Sequence, residues 1–224
     1  MRKWAPAALI AAAFATSALL APRVKSPAST GFHRLLPPEF GVGAGSIPSI
    51  VALFGIPALA LILWALLYEA PVSRLGLAAG RRLFNAGPPR YDVFAPTYRL
   101  IVLWVVCLVL SLHLAFVAEV LQWSIQPGTI VGVTIGAGMI LVGNAVPRLR
   151  SNAVAGIRTA RTMNDPSAWA RVHRTFGAAL LGAGIFVVMM SIIAPPYALV
   201  TALALLLLSS LAGVVGGQKI EARQ

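Results

Sequence analysis

Charged residues are scarce in this chain. They fill 11% of its 224 positions, and only six are acidic. An ordinary soluble domain carries roughly 25%, so a water-exposed globular surface is excluded and an integral membrane protein is expected. The one cysteine, Cys107, lies inside an apolar run. It excludes a disulfide framework and a cysteine-based metal site, and reads as a small buried hydrophobe. The three histidines, His33, His113 and His173, fall on different predicted layers of the membrane. With no HExxH, no GxSxG and only scattered acids, no enzyme activity, cofactor or metal site is expected.

Apolar sequence is what the chain has in quantity: 58% of residues, with a mean hydropathy of +0.85. A membrane span needs roughly 20 such residues. Six runs qualify, at about 4–22, 48–68, 98–121, 128–146, 174–194 and 197–216. The expected fold is therefore all-α, with six transmembrane helices. The first run also fits a cleaved signal peptide with a small-residue cleavage motif near Ala18–Ala21, but Pro22 follows at once, and a retained helix is preferred. Gly132, Gly136 and Gly143 share one face of the fourth span, as do Gly177 and Gly184 on the fifth. Such faces favour close packing within the chain, with a homo-oligomer as the alternative.

The formal charge of +12 reads as a topology signal. Direct nucleic-acid binding is not expected, because basic nucleic-acid binders are not built from long apolar runs. With a cytoplasmic N-terminus, fifteen of the 18 Lys and Arg lie inside and three (Arg23, Lys25 and Arg34) outside. Both termini are then cytoplasmic. Within the third span, His113 and Glu119 are candidate functional residues, since intramembrane ionisable groups face the bundle or a cavity. They lie six residues apart, about 120° around the helix, and form no simple pair.

Six arginines, one histidine and one acid crowd into residues 143–177, GNAVPRLRSNAVAGIRTARTMNDPSAWARVHRTFG. Gly143-Asn144 is expected to end the fourth span, and Pro147 to stop the helix. Residues 147–173 then form a cytoplasmic loop. Asp165-Pro166 reads as an N-cap followed by proline at the first helical position, starting a helical lead-in to the fifth span. Trp169, His173 and Phe176 share one face of it, with Arg171 and Arg174 towards the other. A patch serving only topology or anionic lipid needs only the arginines. Here Asn144, Asn152, Gly156, Thr159 and Thr162 are interleaved with them.

This patterned segment resembles the signature of the SdpI family: G-N-x-x-P, basic positions, N-x-x-x-G-I-R-T-P-W-T-L, a Trp, then H-R-x-x-G. The matching residues are Gly143, Asn144, Pro147, Asn152, Gly156, Ile157, Arg158, Thr159, Thr162, Trp169, His173, Arg174 and Gly177. Ala160 and Arg161 stand where the family has Pro-Trp, and Met163 where it has Leu. The resemblance extends loosely over residues 90–194. It divides the chain into an N-terminal two-span region (1–97), an SdpI-like core (98–194) and a last span with its tail (195–224). The outer loop 23–47 is divergent.

The resemblance implies a multi-pass protein of a bacterial plasma membrane that confers immunity to, or senses, a secreted membrane-active peptide toxin. It implies that Arg148, Arg150 and the matched signature residues bind a partner, in the characterised relative a cytoplasmic transcriptional repressor. A small transporter or channel is the competing expectation, and an inert scaffold a third.

Overall fold

Seven α-helices carry the described residues. They are α1 (Ala5–Leu20), α2 (Ile56–Glu69), α3 (Tyr91–Val120), α4 (Pro127–Ala145), α5 (Ala160–Asn164), α6 (Pro166–Ile193) and α7 (Ala198–Gln218). The structure, a computed structural model, describes residues 4–24, 28–29, 32–41, 46–48, 50–69, 91–151 and 156–218. Asn152 lies outside them, as do Arg2, Lys3, Lys25, Arg74, Arg81, Arg82, Arg90, Lys219 and Arg223. Every helix but α5 belongs to one of six segments long and apolar enough to cross a membrane. Apart from helix, the described residues hold a two-residue antiparallel pair, β1 (Ala28–Ser29) with β2 (Ser46–Ile47).

Hydropathy locates the apolar part of a span and misses its polar turns. So α3 starts at Tyr91, ahead of the expected residue 98, whereas α6 starts at Pro166, where Asp165-Pro166 placed the helical lead-in, and runs unbroken into the span expected from 174. At 1.5 Å per residue the 28 residues of α6 rise about 42 Å, more than a ~30 Å hydrocarbon core. The expected loop 147–173 thus contains α5 and two turns of α6. Asn144 does not end the fourth span either. Helix α4 runs to Ala145, and a 3-10 turn at Val146–Arg148 closes it.

Gly143 is needed inside the helix for contact with α6. A Cβ there would stand 2.8 Å from the Gly177 carbonyl oxygen, and one on Gly136 would stand 2.7 Å from that of Gly184. The backbones touch, so the glycine faces are consumed within the chain. Lipid tails are as apolar as leucine, so this close van der Waals contact is what holds such helices together. Met139, Leu180 and Val187 fill the core around the crossing. Smaller clusters join α1 to its neighbours: Ile10 with Ala60 and Val106, and Leu20 with Leu53 and Phe116.

At the end opposite the arginine segment, residues 32–41 lie across the bundle. Arg34 meets Glu119 at 3.3 Å, and the Tyr197 hydroxyl donates to Glu39 at 3.0 Å. Such partly exposed contacts are worth only ~0–1 kcal/mol each. They position the segment more than they stabilise it.

Candidate functional site

The arginine segment folds around one buried aromatic pair. Trp169 and His173, one helical turn apart on α6, stack with ring centroids 3.9 Å apart and planes inclined by 20°. Both are essentially inaccessible. The Trp169 indole N–H donates to the Leu149 carbonyl at 2.7 Å, tying the strand-like exit of α4 to the start of α6. His173 Nε2 accepts the Ile157 N–H at 3.0 Å. That nitrogen therefore carries no proton, and Nδ1 donates to the Trp169 carbonyl at 2.8 Å. The imidazole is a neutral clamp, satisfied on both sides.

Gly156 lets the chain pass over this pair. Its φ is +117°, and a Cβ there would overlap His173 Nε2 and approach Trp169. Immediately beyond, Thr159 and Thr162 form a reciprocal capping box that starts α5. The Thr162 hydroxyl also reaches the Ile157 carbonyl at 3.0 Å. At the far end of α5, Asp165 caps α6. Its carboxylate accepts the Ser167 N–H at 2.7 Å and the Ser167 hydroxyl at 3.0 Å. These bonds, the hydroxyl's first, hold the carboxyl below the usual aspartate range, helped by Arg171 at 3.7 Å. Pro147 packs where Gly177 leaves room.

The uncharged signature residues thus build a platform, and the arginines surround it. Arg148, Arg150 and Arg174 are exposed, whereas Arg158, Arg161 and Arg171 are half-buried. Asn144, also exposed, receives an Arg148 N–H at 3.5 Å, the limit of a hydrogen bond. Leu149 explains the spacing. Its buried side chain and held carbonyl fix the backbone between two outward-facing arginines. The resemblance did not single it out, because the contact is made through a main-chain carbonyl.

Comparison with known proteins bears on this segment directly. Residues 148–217 match the model of the SdpI/YfhL protein family. The matched SdpI segment begins at the first platform arginine and runs through α5, α6 and α7. With six helices long and apolar enough to cross a membrane, the chain is a multi-pass membrane protein that is similar to the SdpI family over residues 148–217. Neither the curated proteins nor the solved structures contain a match to it.

The intramembrane candidates separate. Glu119 joins Arg34 at the bundle end, whereas His113 is buried in a cluster of α1, α3 and the π turn Val51–Gly55 that precedes α2. In an α-helix the Leu53 carbonyl would accept from residue 57, but Pro57 has no N–H. The Ser17 hydroxyl donates to that carbonyl at 2.6 Å. With its one proton so used, Ser17 Oγ accepts from His113 Nε2 at 2.9 Å. Sequence reading found His113 and missed Ser17. A lone serine in an apolar run announces no partner, although Pro57 advertises a freed carbonyl. Among the described residues, no three His, Cys, Asp or Glu side chains come together.

Proposed function

We propose that this SdpI-type protein protects a bacterial plasma membrane against a secreted, membrane-active peptide, and that it reports the peptide through its arginine platform. The observation that carries the proposal is the match of residues 148–217 to the SdpI/YfhL family on a segment folded to present Arg148, Arg150 and Arg174 outward. Guanidinium groups held by a rigid backbone suit bidentate pairing with carboxylates. The partner on this face is an acidic surface of a cytoplasmic transcriptional regulator.

Expression in a peptide-sensitive bacterial host tests the proposal. Wild type is compared with an Arg148→Glu/Arg150→Glu double mutant at matched membrane levels. The double mutant is expected to keep survival and to lose a regulator-dependent reporter response, because charge reversal opposes an acidic partner. No survival advantage for the wild type defeats the protective reading. Solute flux in proteoliposomes would then favour a transporter.

A further inference from the structure

Arg99 carries a permanent charge into a membrane span. It lies on α3 within the apolar segment Ala95–Val120 and is half-buried. Its Nε is enclosed and has no hydrogen-bond partner. Among the described residues the guanidinium makes no hydrogen bond or ion pair. Arg171 also has a bare Nε, but its other nitrogens reach Ser167 and Asp165. An enclosed, unpaired cation is costly at the edge of hydrocarbon, so an anion is expected beside it.

The depth of Arg99 names the anion. Glu119, which meets Arg34 at the opposite end of the bundle, is twenty residues further along α3. That is about 30 Å of helix, the thickness of the hydrocarbon core. Ser17 meets His113 and Ile10 packs with Val106, so α1 and α3 run side by side with an offset of 96 residues. Arg99 is therefore level with the start of α1, where the exposed Trp4 suits the headgroup layer. The Tyr98 hydroxyl donates to the Leu67 carbonyl at 2.6 Å, which sets the last turn of α2 at the same level. Arg99 also lies seven residues before Val106, within about 20° of it around α3. Val106 is wholly buried against Ile10 and Ala60. The guanidinium thus stands at the base of the crevice where α1 begins and α2 ends, on the arginine platform's side of the membrane.

We infer that Arg99 holds the phosphate of a membrane phospholipid in this crevice. Phosphate is the anion that the headgroup layer supplies. A guanidinium pairs with two of its oxygens at once, and basic pockets between transmembrane helices suit such headgroups. Leu9 and Leu66, both exposed on α1 and α2, give the acyl chains an apolar flank that a free phosphate ion has no use for. Held there, the lipid ties α1 and α2 to α3, which otherwise meet through the small clusters around Ile10 and Leu20. The inference is independent of the protective reading.

The test uses the full-length protein in detergent with phosphatidylglycerol added, read by native mass spectrometry. The wild type is expected to retain one lipid after collisional activation strips the others. Arg99→Gln should weaken that retention about tenfold or more, the size of a lost hydrogen bond to a charged group. Arg99→Lys keeps the charge without the two-pronged geometry and should fall between them. Arg148→Gln removes one exposed charge from the same side of the membrane and should retain the lipid like the wild type. If Arg99→Gln does not melt like the wild type, Arg99→Lys carries the comparison.

A wild type that retains no lipid beyond a random distribution overturns the inference without any variant. Unchanged retention by a folded Arg99→Gln protein overturns it as well. So does an equal loss from Arg99→Gln and Arg148→Gln, which is general attraction to a basic surface and not a site. Displacement of the retained lipid by inorganic phosphate at millimolar concentration would assign the crevice to the free ion and overturn the lipid as its occupant.

Discussion

Replacing Gly156 by alanine tests whether the signature segment is a folded platform. Its φ of +117° is strained for any residue with a Cβ, at a cost of about 1–3 kcal/mol. The new methyl would also overlap His173 Nε2 and stand 3.1 Å from Trp169. Either the stacked pair moves, adding an overpacking cost of about 1–3 kcal/mol, or the loop lifts and the Ile157 N–H loses its acceptor, about 1 kcal/mol. Relaxation makes these costs less than additive, so a loss of about 3 kcal/mol is expected. Gly182→Ala is the control, because its methyl meets open space on a helix and should stabilise by roughly 0.5–1 kcal/mol. Thermal unfolding in detergent reads the global effect, and amide exchange of Ile157 reads local opening. If Gly156→Ala melts within about 0.5 kcal/mol of wild type with unchanged exchange at Ile157, the clamp does not hold the loop.

Three further outcomes are expected. Ser17→Ala strands both the Leu53 carbonyl and His113, so it should destabilise, and a double-mutant cycle with His113→Leu should show coupling of about 0.6–1.7 kcal/mol; strict additivity would mean the two side chains do not interact. Single cysteines at Ser151 and Ser167, in a Cys107→Ala background, should resist an impermeant thiol reagent in intact cells and react after lysis; labelling in intact cells would reverse the orientation. The Asp165 carboxyl is held below its ordinary value in the folded state, so its contribution is complete above the unfolded value of about 3.9 and is lost as pH falls through the folded one. Protection of the Ser167 amide should therefore be flat from about pH 5 to 8 and fall in stronger acid, and Asp165→Asn should remove that acid dependence.

The six spans were legible because the membrane imposes a length on apolar sequence that few other constraints mimic. The polar turns that open α3 were not, since residues 91–97 carry Asp92 and depress hydropathy, and those of α6 escaped hydropathy too and were legible only through the helix-start chemistry at Asp165-Pro166. At the platform, the periodicity of Trp169 and His173 and the Asp165-Pro166 start were readable from local chemistry. The contacts they make were not. Leu149 and Ile157 act through main-chain atoms, which carry no residue-specific signal, and Gly156 acts by what it omits. The Ser17–His113 cluster lay deeper still, because it joins residues 96 apart in sequence.

Where the family pattern has Pro-Trp, this chain has Ala160-Arg161, and the geometry says what the exchange costs. Ala160 is the first residue of α5, directly after the Thr159 N-cap. Its N–H lies among those an α-helix leaves without an internal partner, so proline there would remove no intrahelical bond. Thr159 is already extended, at φ −117° and ψ 162°, the region a residue before proline prefers. The capping box sets the start of the helix by itself, so the departure leaves the platform intact and changes what is mounted on it. Ala160→Pro should accordingly be neutral or stabilising, by about 0.4–1 kcal/mol through the unfolded chain, measured as a rise in melting temperature. A clear loss of stability would mean that α5 does not begin at residue 160 in this chain, and that the loop departs from the family's geometry where its sequence departs.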